Sequence, residues 1–289
     1  MQNILVTGAK GQLGYEITKL STNYKKFNFI FTDVVELDIT DFKDLELFFK
    51  NNKIDFVINC AAYTAVDKAE TEKESAKLLN SVAPSFLAEL CEKYNCKLIH
   101  ISTDYVFDGT NVKPYTEEDK TNPVSVYGKT KLDGENEIIK KTKNAIIIRT
   151  SWLYSTVGNN FMKTMIWLGK EKSEINVVSD QTGTPTYAGD LAKVILDIIS
   201  KVKNEIPKKV EIYNFSNEGV TSWNEFAVEI FKLAKINCKV NPIETKDYPT
   251  PAKRPNYSVF DKSKIKKDFN ITIPDWKDSL KVAVEKYLK

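Results

Sequence analysis

Short apolar runs alternate with longer amphipathic stretches along the first half of the chain. Asn3–Thr7, Phe27–Thr32, Phe56–Asn59, Leu98–Ile101 and Ala145–Ile148 are dominated by Ile, Val, Phe and Leu. Continuous apolar runs of this length predict strands buried on both faces. Between them the pattern turns helical, from Gly14 through Leu20, near Phe42–Phe49, from Glu70 to Tyr94, and around Tyr127. Pro84 is expected to bend or restart the long third stretch, because it lacks an N–H and its ring crowds the preceding turn. Strand–helix alternation predicts an α/β fold with a doubly wound parallel sheet and right-handed crossovers. From about residue 151 the pattern loosens. Phe161–Gly169, Leu191–Ser200, Trp223–Ala234 and Trp276–Tyr287 read as helices, and Val210–Phe215 as a strand, with turns at Gly183–Thr186 and Pro249–Pro251.

The first strand runs into Gly8-Ala-Lys10-Gly11-Gln12-Leu13-Gly14, and a helix follows at once. Glycines between a first strand and a first helix permit a tight turn and a close backbone approach to a diphosphate, which meets the open N–H groups of the helix start. The spacing is G-x-x-G-x-x-G. Residues 1–150 therefore read as a Rossmann-type dinucleotide-binding domain, and 151–289 mainly as a smaller mixed α/β substrate-binding part. Asp33 ends the second strand, 19 residues after Gly14. A carboxylate there would accept the adenosine ribose 2′-hydroxyl of NAD. Lys10 argues for the 2′-phosphate of NADP, so both NADH and NADPH stay open. Asp38 and Ile39 are placed to lie against the adenine.

Tyr127-x-x-x-Lys131 puts a phenol and an ammonium one turn apart on one helix face. Thr103 ends an apolar run 24 residues upstream. A phenol ionises near pH 10, and a cation within ~4–6 Å favours its ionised form. Together these groups can deliver a proton to a carbonyl oxygen while a nicotinamide delivers hydride. Lys131 could also hold the nicotinamide ribose.

Composition narrows the alternatives. In 289 residues the net charge is only +3, with 42 basic and 39 acidic residues interspersed and no basic stripe to suggest nucleic acid. No apolar run approaches the ~20 residues that would span a membrane. The opening Met1-Gln-Asn-Ile4 runs straight into a strand, predicting no secretory signal and a cytoplasmic location. Cys60, Cys91, Cys96 and Cys238 form no C-x-x-C pair and read as reduced, mostly buried residues. The single histidine, His100, reads as a strand residue, and one histidine without a cysteine cluster argues against a zinc site.

Thr7-Gly-x-x-Gly-x-x-Gly14, Asn59-Cys-Ala61-Ala62-Tyr63, Ser102-Thr103-Asp104 and Tyr127-x-x-x-Lys131 resemble the extended short-chain dehydrogenase/reductases. The segments Ala61–Glu70, Ser102–Gly109, Tyr127–Glu135, Arg149–Tyr154 and Tyr248–Pro255 are similar, within that superfamily, to the dTDP-4-dehydrorhamnose reductase family. The resemblance covers nearly the whole chain. It implies reduction of the C4 ketone of a dTDP-linked 6-deoxysugar, with dTDP-L-rhamnose as product. It assigns Tyr127 as proton donor, Thr103 as a second donor and Lys131 as the tuning and ribose-binding cation. It places Ala61, Ala62 and Tyr63 along the cofactor, and Asp104, Trp152 and Arg254 near the substrate, Arg254 on the diphosphate. Asn159, Asn160 and Gln181 are further polar candidates. It also implies a soft boundary, with elements interleaved between the two parts.

Some relatives form a homodimer around magnesium held by glutamates. Glu16 matches one such ligand, whereas Gly189, beside Asp190, stands where a glutamate is expected, so a homodimer and magnesium are open readings without a complete ligand set. Other readings are a sugar-nucleotide epimerase or dehydratase of the same superfamily, and a non-catalytic NADP-binding regulatory subunit. Tyr105 occupies the position of a dehydratase's second acid, which disfavours elimination.

Overall fold

The computed structural model describes residues 1–201 and 209–289. Strands β1 (Gln2–Thr7), β2 (Phe27–Thr32), β3 (Phe56–Asn59), β4 (Lys97–Thr103) and β5 (Ala145–Thr150) lie beside a sixth, Glu211–Phe215. Their order is Glu211–Phe215, β5, β4, β3, β1, β2, and every pairing is parallel. The edge strand beside β5 thus comes from the second half of the chain.

The two faces of β1 show why the sheet is doubly wound. Ile4 and Val6 point to one core, with Leu13 and Ile17 of α1 (Gln12–Ser21) and Leu191, Ile195 and Ile198 of the helix Ala188–Lys201. Leu5 points to the other, with Leu45 and Phe49 of α2 (Phe42–Asn51) and Leu87 and Leu90 of the helix Ala83–Lys93. Alternate side chains of a strand take opposite faces, so an unbroken apolar run needs both covered. A third core gathers Tyr154, Met162, Phe226, Ile230, Trp276 and Leu280 from the carboxyl-terminal helices Phe161–Glu171, Trp223–Ala234 and Trp276–Leu288. The four cysteines are free thiols, Cys91 and Cys96 buried, Cys60 and Cys238 partly so. No helix among the described residues is long and apolar enough to cross a membrane.

The stretch expected to be helical from Glu70 to Tyr94 differs in detail. A short helix, Val66–Ala69, precedes a break, and helix resumes at Lys73. It widens into a π turn at Leu78–Val82 before Ala83–Lys93 continues. Pro84 explains the widening. Its ring would collide with the carbonyl four residues back, at Asn80, and it has no N–H to offer that carbonyl. The displaced Asn80 carbonyl lies against Gly134 so closely that no side chain could grow there.

Candidate active site

The helix Val126–Lys141 carries the phenol and the ammonium. Ser125 caps it, its hydroxyl accepting from the Gly128 N–H at 3.1 Å, and the Glu70 carboxylate accepts from the Val126 N–H at 2.8 Å. A carboxylate at a helix start also meets the positive end of the helix dipole. Gly128 is required by contact, because the Tyr105 carbonyl occupies the space a Cβ would take. The Tyr105 ring stands edge-on to the Tyr127 ring at 5.4 Å.

Thr103, at the end of β4, donates from Oγ1 to Asp104 Oδ1 at 3.0 Å and accepts from the Tyr105 N–H at 3.2 Å. Asp104 is buried, and its Oδ2 has no partner among the described residues. Burial pushes its carboxyl up to about 6, opposed by the hydrogen bond from Thr103. Lys131 is buried, and its ammonium donates to the Ile101 carbonyl at 2.6 Å and lies 3.4 Å from His100 Nε2. Burial draws it down to about 8, opposed by the Glu135 carboxylate.

The sequence predicts a phenol acidified by Lys131, and here the structure differs. Burial pushes Tyr127 up to about 12; the neighbouring Thr103 hydroxyl lowers it and the Asp104 charge raises it. The ammonium is turned to β4 instead of the phenol. Tyr127 therefore carries its proton at neutral pH, the form an acid needs.

Three cavities run together along the carboxyl ends of the strands. The central one, about 570 Å³, takes in Gln12, Leu13, Thr103, Tyr127, Lys131, Trp152 and Asn159. It shares Gly11, Cys60 and Ala62 with one of about 690 Å³ lined by Gly8, Lys10, Asp33, Asp38, Ile39, Ala61 and Tyr63. On the other side it shares Thr64, Val66, Tyr105 and Trp223 with one of about 540 Å³ that includes Gln181, Tyr248 and Arg254. The glycine loop fits a dinucleotide. Gly8 has φ +65°, and a Cβ there would lie 2.7 Å from the Ala61 nitrogen. A Cβ at Gly14 would strike the Gly8 carbonyl and Ala9, so the glycines keep the backbone compact and the helix start open. Asp33 Oδ2 accepts from the Lys10 N–H at 3.0 Å, while the exposed Lys10 ammonium pairs with Glu36.

A family model described as the RmlD substrate binding domain matches residues 1–289. The dTDP-4-dehydrorhamnose reductase of Aggregatibacter actinomycetemcomitans is 42% identical over 97% of this chain and 98% of its own length. The chain belongs to the dTDP-4-dehydrorhamnose reductase family. A crystal structure of a dTDP-4-dehydrorhamnose reductase from Clostridium acetobutylicum superposes with a TM-score of 0.94 at 44% identity, covering 100% of both chains. The Bacillus anthracis dTDP-4-dehydrorhamnose reductase, solved in complex with NADP, gives 0.93 at 36% identity over 99% of this chain and 100% of its own.

In this member of the dTDP-4-dehydrorhamnose reductase family, Trp152 has φ +47° and stacks on Trp223 with ring centroids 3.7 Å apart. Arg254, expected on the diphosphate, has a protein partner in this structure. Its guanidinium binds Asp67 through two bonds, 3.1 and 2.8 Å, because the Val66–Ala69 helix brings that carboxylate beside the Tyr248–Pro255 loop. Asn160 caps the helix Phe161–Glu171 and donates to Gln12 Oε1 at 2.9 Å. Gln181 donates to Thr245 at 3.1 Å. Glu16, the residue matching a magnesium ligand, instead accepts from the Ser155 hydroxyl at 2.8 Å and the Tyr187 hydroxyl at 3.4 Å.

Two arrangements escaped sequence reasoning. Asn80, 1% exposed in the π turn, accepts from the Tyr63 N–H at 2.8 Å and donates to the Tyr63 carbonyl at 3.0 Å and to Thr130 at 3.2 Å. One side chain thus ties the loop after β3 to the Tyr127 helix. Its signal was its place four residues before Pro84. The other is the buried Glu135–Arg149 pair, for which spacing gave no sign.

Proposed function

We propose that this chain uses NADPH or NADH to reduce the C4 ketone of dTDP-4-dehydro-L-rhamnose, giving dTDP-L-rhamnose. One observation carries the reading: Thr103, Tyr127 and Lys131 open into the same cleft as the Gly8–Gly14 loop, in a chain of this reductase family. The dTDP-sugar substrate comes from the names of the relatives.

The reduced nicotinamide, when bound, supplies hydride to the carbonyl carbon. The chain's own residues do the rest. As charge develops on the ketone oxygen, the neutral Tyr127 hydroxyl gives it a proton. The Thr103 hydroxyl has one proton, directed to Asp104 in this structure, and becomes the second donor when that proton turns to the ketone oxygen. Such a donor typically contributes ~2.7–4 kcal/mol. An ammonium has three N–H groups. Lys131 directs one to Ile101 and one toward His100, leaving the third for the cofactor ribose. The Trp152–Trp223 stack supplies an apolar wall beside the sugar. Gly8, Gly11 and Gly14 cradle the diphosphate, with Gln12 and Leu13 at the helix start. Ala61, Ala62 and Tyr63 line the cofactor, and Asp33, Asp38 and Ile39 take its adenosine end.

The test is loss of 340 nm absorbance when protein, reduced cofactor and dTDP-4-dehydro-L-rhamnose are mixed. Consumption with dTDP-L-rhamnose as product supports the reading. Cofactor binding without consumption would point to a regulatory subunit, and an epimerised or dehydrated product to another reaction of the superfamily.

A further inference from the structure

Behind Lys131 a row of polar side chains crosses the buried sheet. His100 on β4 is register-paired with Asn59 on β3, and Asn59 with Thr7 on β1. All three are within 1% of complete burial. His100 Nδ1 lies 3.0 Å from Asn59 Nδ2, and Asn59 Oδ1 accepts from the Thr7 hydroxyl at 2.7 Å. At the opposite end, His100 Nε2 faces the Lys131 ammonium at 3.4 Å. Buried polar groups in the middle of an apolar sheet are costly unless each is satisfied, and nothing in the proton transfer above uses them.

Their chemistry fixes a direction. An ammonium only donates, so Nε2 must accept. Burial, and then the charge of Lys131, push the ring well below the ordinary histidine value, so it is neutral and has one N–H, which must sit on Nδ1. With that proton on Nδ1 the Asn59 amide turns over, bringing its oxygen to Nδ1 and its nitrogen to the Thr7 oxygen, an exchange of two ends of nearly equal size and shape. Thr7 immediately precedes Gly8, the left-handed residue that opens the glycine loop. We propose that His100 is a positioning residue: its Nε2 holds the Lys131 ammonium in place, and through Asn59 and Thr7 it ties that place to the start of the glycine loop. Its role in turnover rests on the reductase reading; its geometry does not.

The protein has a single histidine, so 15N-histidine labelling gives one imidazole and no assignment problem. At about pH 7 the expected spectrum, taken without cofactor or substrate, is that of a neutral ring protonated on Nδ1. Lys131→Met should move the Nε2 resonance. A ring protonated on Nε2, or an Nε2 signal indifferent to Lys131→Met, overturns the proposal. In turnover, His100→Phe should lower kcat about tenfold to a hundredfold, the range for losing a hydrogen bond to a charged group. His100→Gln, whose amide oxygen can take the place of Nε2, should recover most of it. Wild-type turnover in a folded His100→Phe, or no recovery in a folded His100→Gln, also overturns it. If the phenylalanine variant fails to fold, the spectrum of the unsubstituted protein still decides. The expected spectrum in a protein that does not reduce the keto sugar would sink the reductase reading and leave the Lys131 seat standing.

Discussion

Arg149 meets Glu135 through two parallel bonds, Nε to Oε1 at 3.0 Å and Nη2 to Oε2 at 2.7 Å, with side chains only 3% and 1% exposed. Ser102 adds a third donor to Glu135 Oε1 at 2.5 Å. Glu135 lies one turn beyond Lys131, so the pair fastens the Tyr127 helix to β4 and β5. Removing one member of a buried pair strands the other charge, at about 3–5 kcal/mol, whereas replacing both with apolar groups is often near neutral. Glu135→Leu should therefore lower stability by that amount in urea unfolding, and adding Arg149→Met should restore much of it. A double variant no more stable than the single one would show that the pair is not what holds the helix.

The ammonium of Lys131 sets an expected alkaline limit. Drawn down to about 8 by burial, the group is charged below that pH and neutral above it. The charged form is the one assigned to catalysis, so kcat should be level below about 8 and fall as pH rises through it. Tyr127, pushed up to about 12, stays protonated throughout this range. A profile of kcat that stays level well above pH 8 would place the ammonium outside the reaction.

Much of this was legible in the chain because the signals are local. Unbroken apolar runs identified β1 to β5, and the glycine spacing identified the loop. Tyr127-x-x-x-Lys131 needed only helical periodicity. What stayed hidden depends on groups brought together by the fold. Glu211–Phe215 reads as a strand, but nothing local says that it pairs with β5. The partner of Arg254 is a residue 187 positions away, which no local pattern reveals. Lys131 was expected to face its neighbour on the helix, yet the Ile101 carbonyl, unreadable from periodicity, takes its N–H. Asn80 became intelligible only once Pro84 had opened the turn.

Tyr127→Phe tests the acid directly. It removes one hydroxyl and leaves the ring against Tyr105 and the cleft. General acid catalysis typically contributes ~10²–10⁴-fold, so kcat should fall by at least about a hundredfold while affinity for the reduced cofactor changes little. Cofactor titration by fluorescence beside the turnover assay separates the two. Undiminished kcat would remove Tyr127 from the chemistry.

Asp33 bears on the choice between cofactors. Its carboxylate lies beside Lys10 in the cavity assigned to the adenosine end, where it would repel a 2′-phosphate and accept from a 2′-hydroxyl. Asp33→Ser should shift the ratio of kcat/KM values toward NADPH, by roughly tenfold for ~1.4 kcal/mol of relieved repulsion. An unchanged ratio would mean that the acid does not face the ribose.

The Arg254–Asp67 pair lies beside the cavity assigned to the substrate, joining the Tyr248–Pro255 loop to the Val66–Ala69 helix. The Ala252 N–H adds a bond to the same carboxylate at 3.2 Å. The side chains are 25% and 39% exposed, so solvent screens the pair and its contribution to stability should be under about 1 kcal/mol. Its larger effect is on place: it holds a cation and an apolar loop over the cavity shared by Val66, Tyr105 and Trp223. Asp67→Asn weakens the grip without changing size. It should leave the unfolding midpoint nearly unchanged and raise KM for the nucleotide sugar several-fold, with kcat and KM for the reduced cofactor close to wild type. A matching loss in kcat would instead place the loop in the reacting geometry, and unchanged kinetics would make the pair a surface contact with no part in substrate binding.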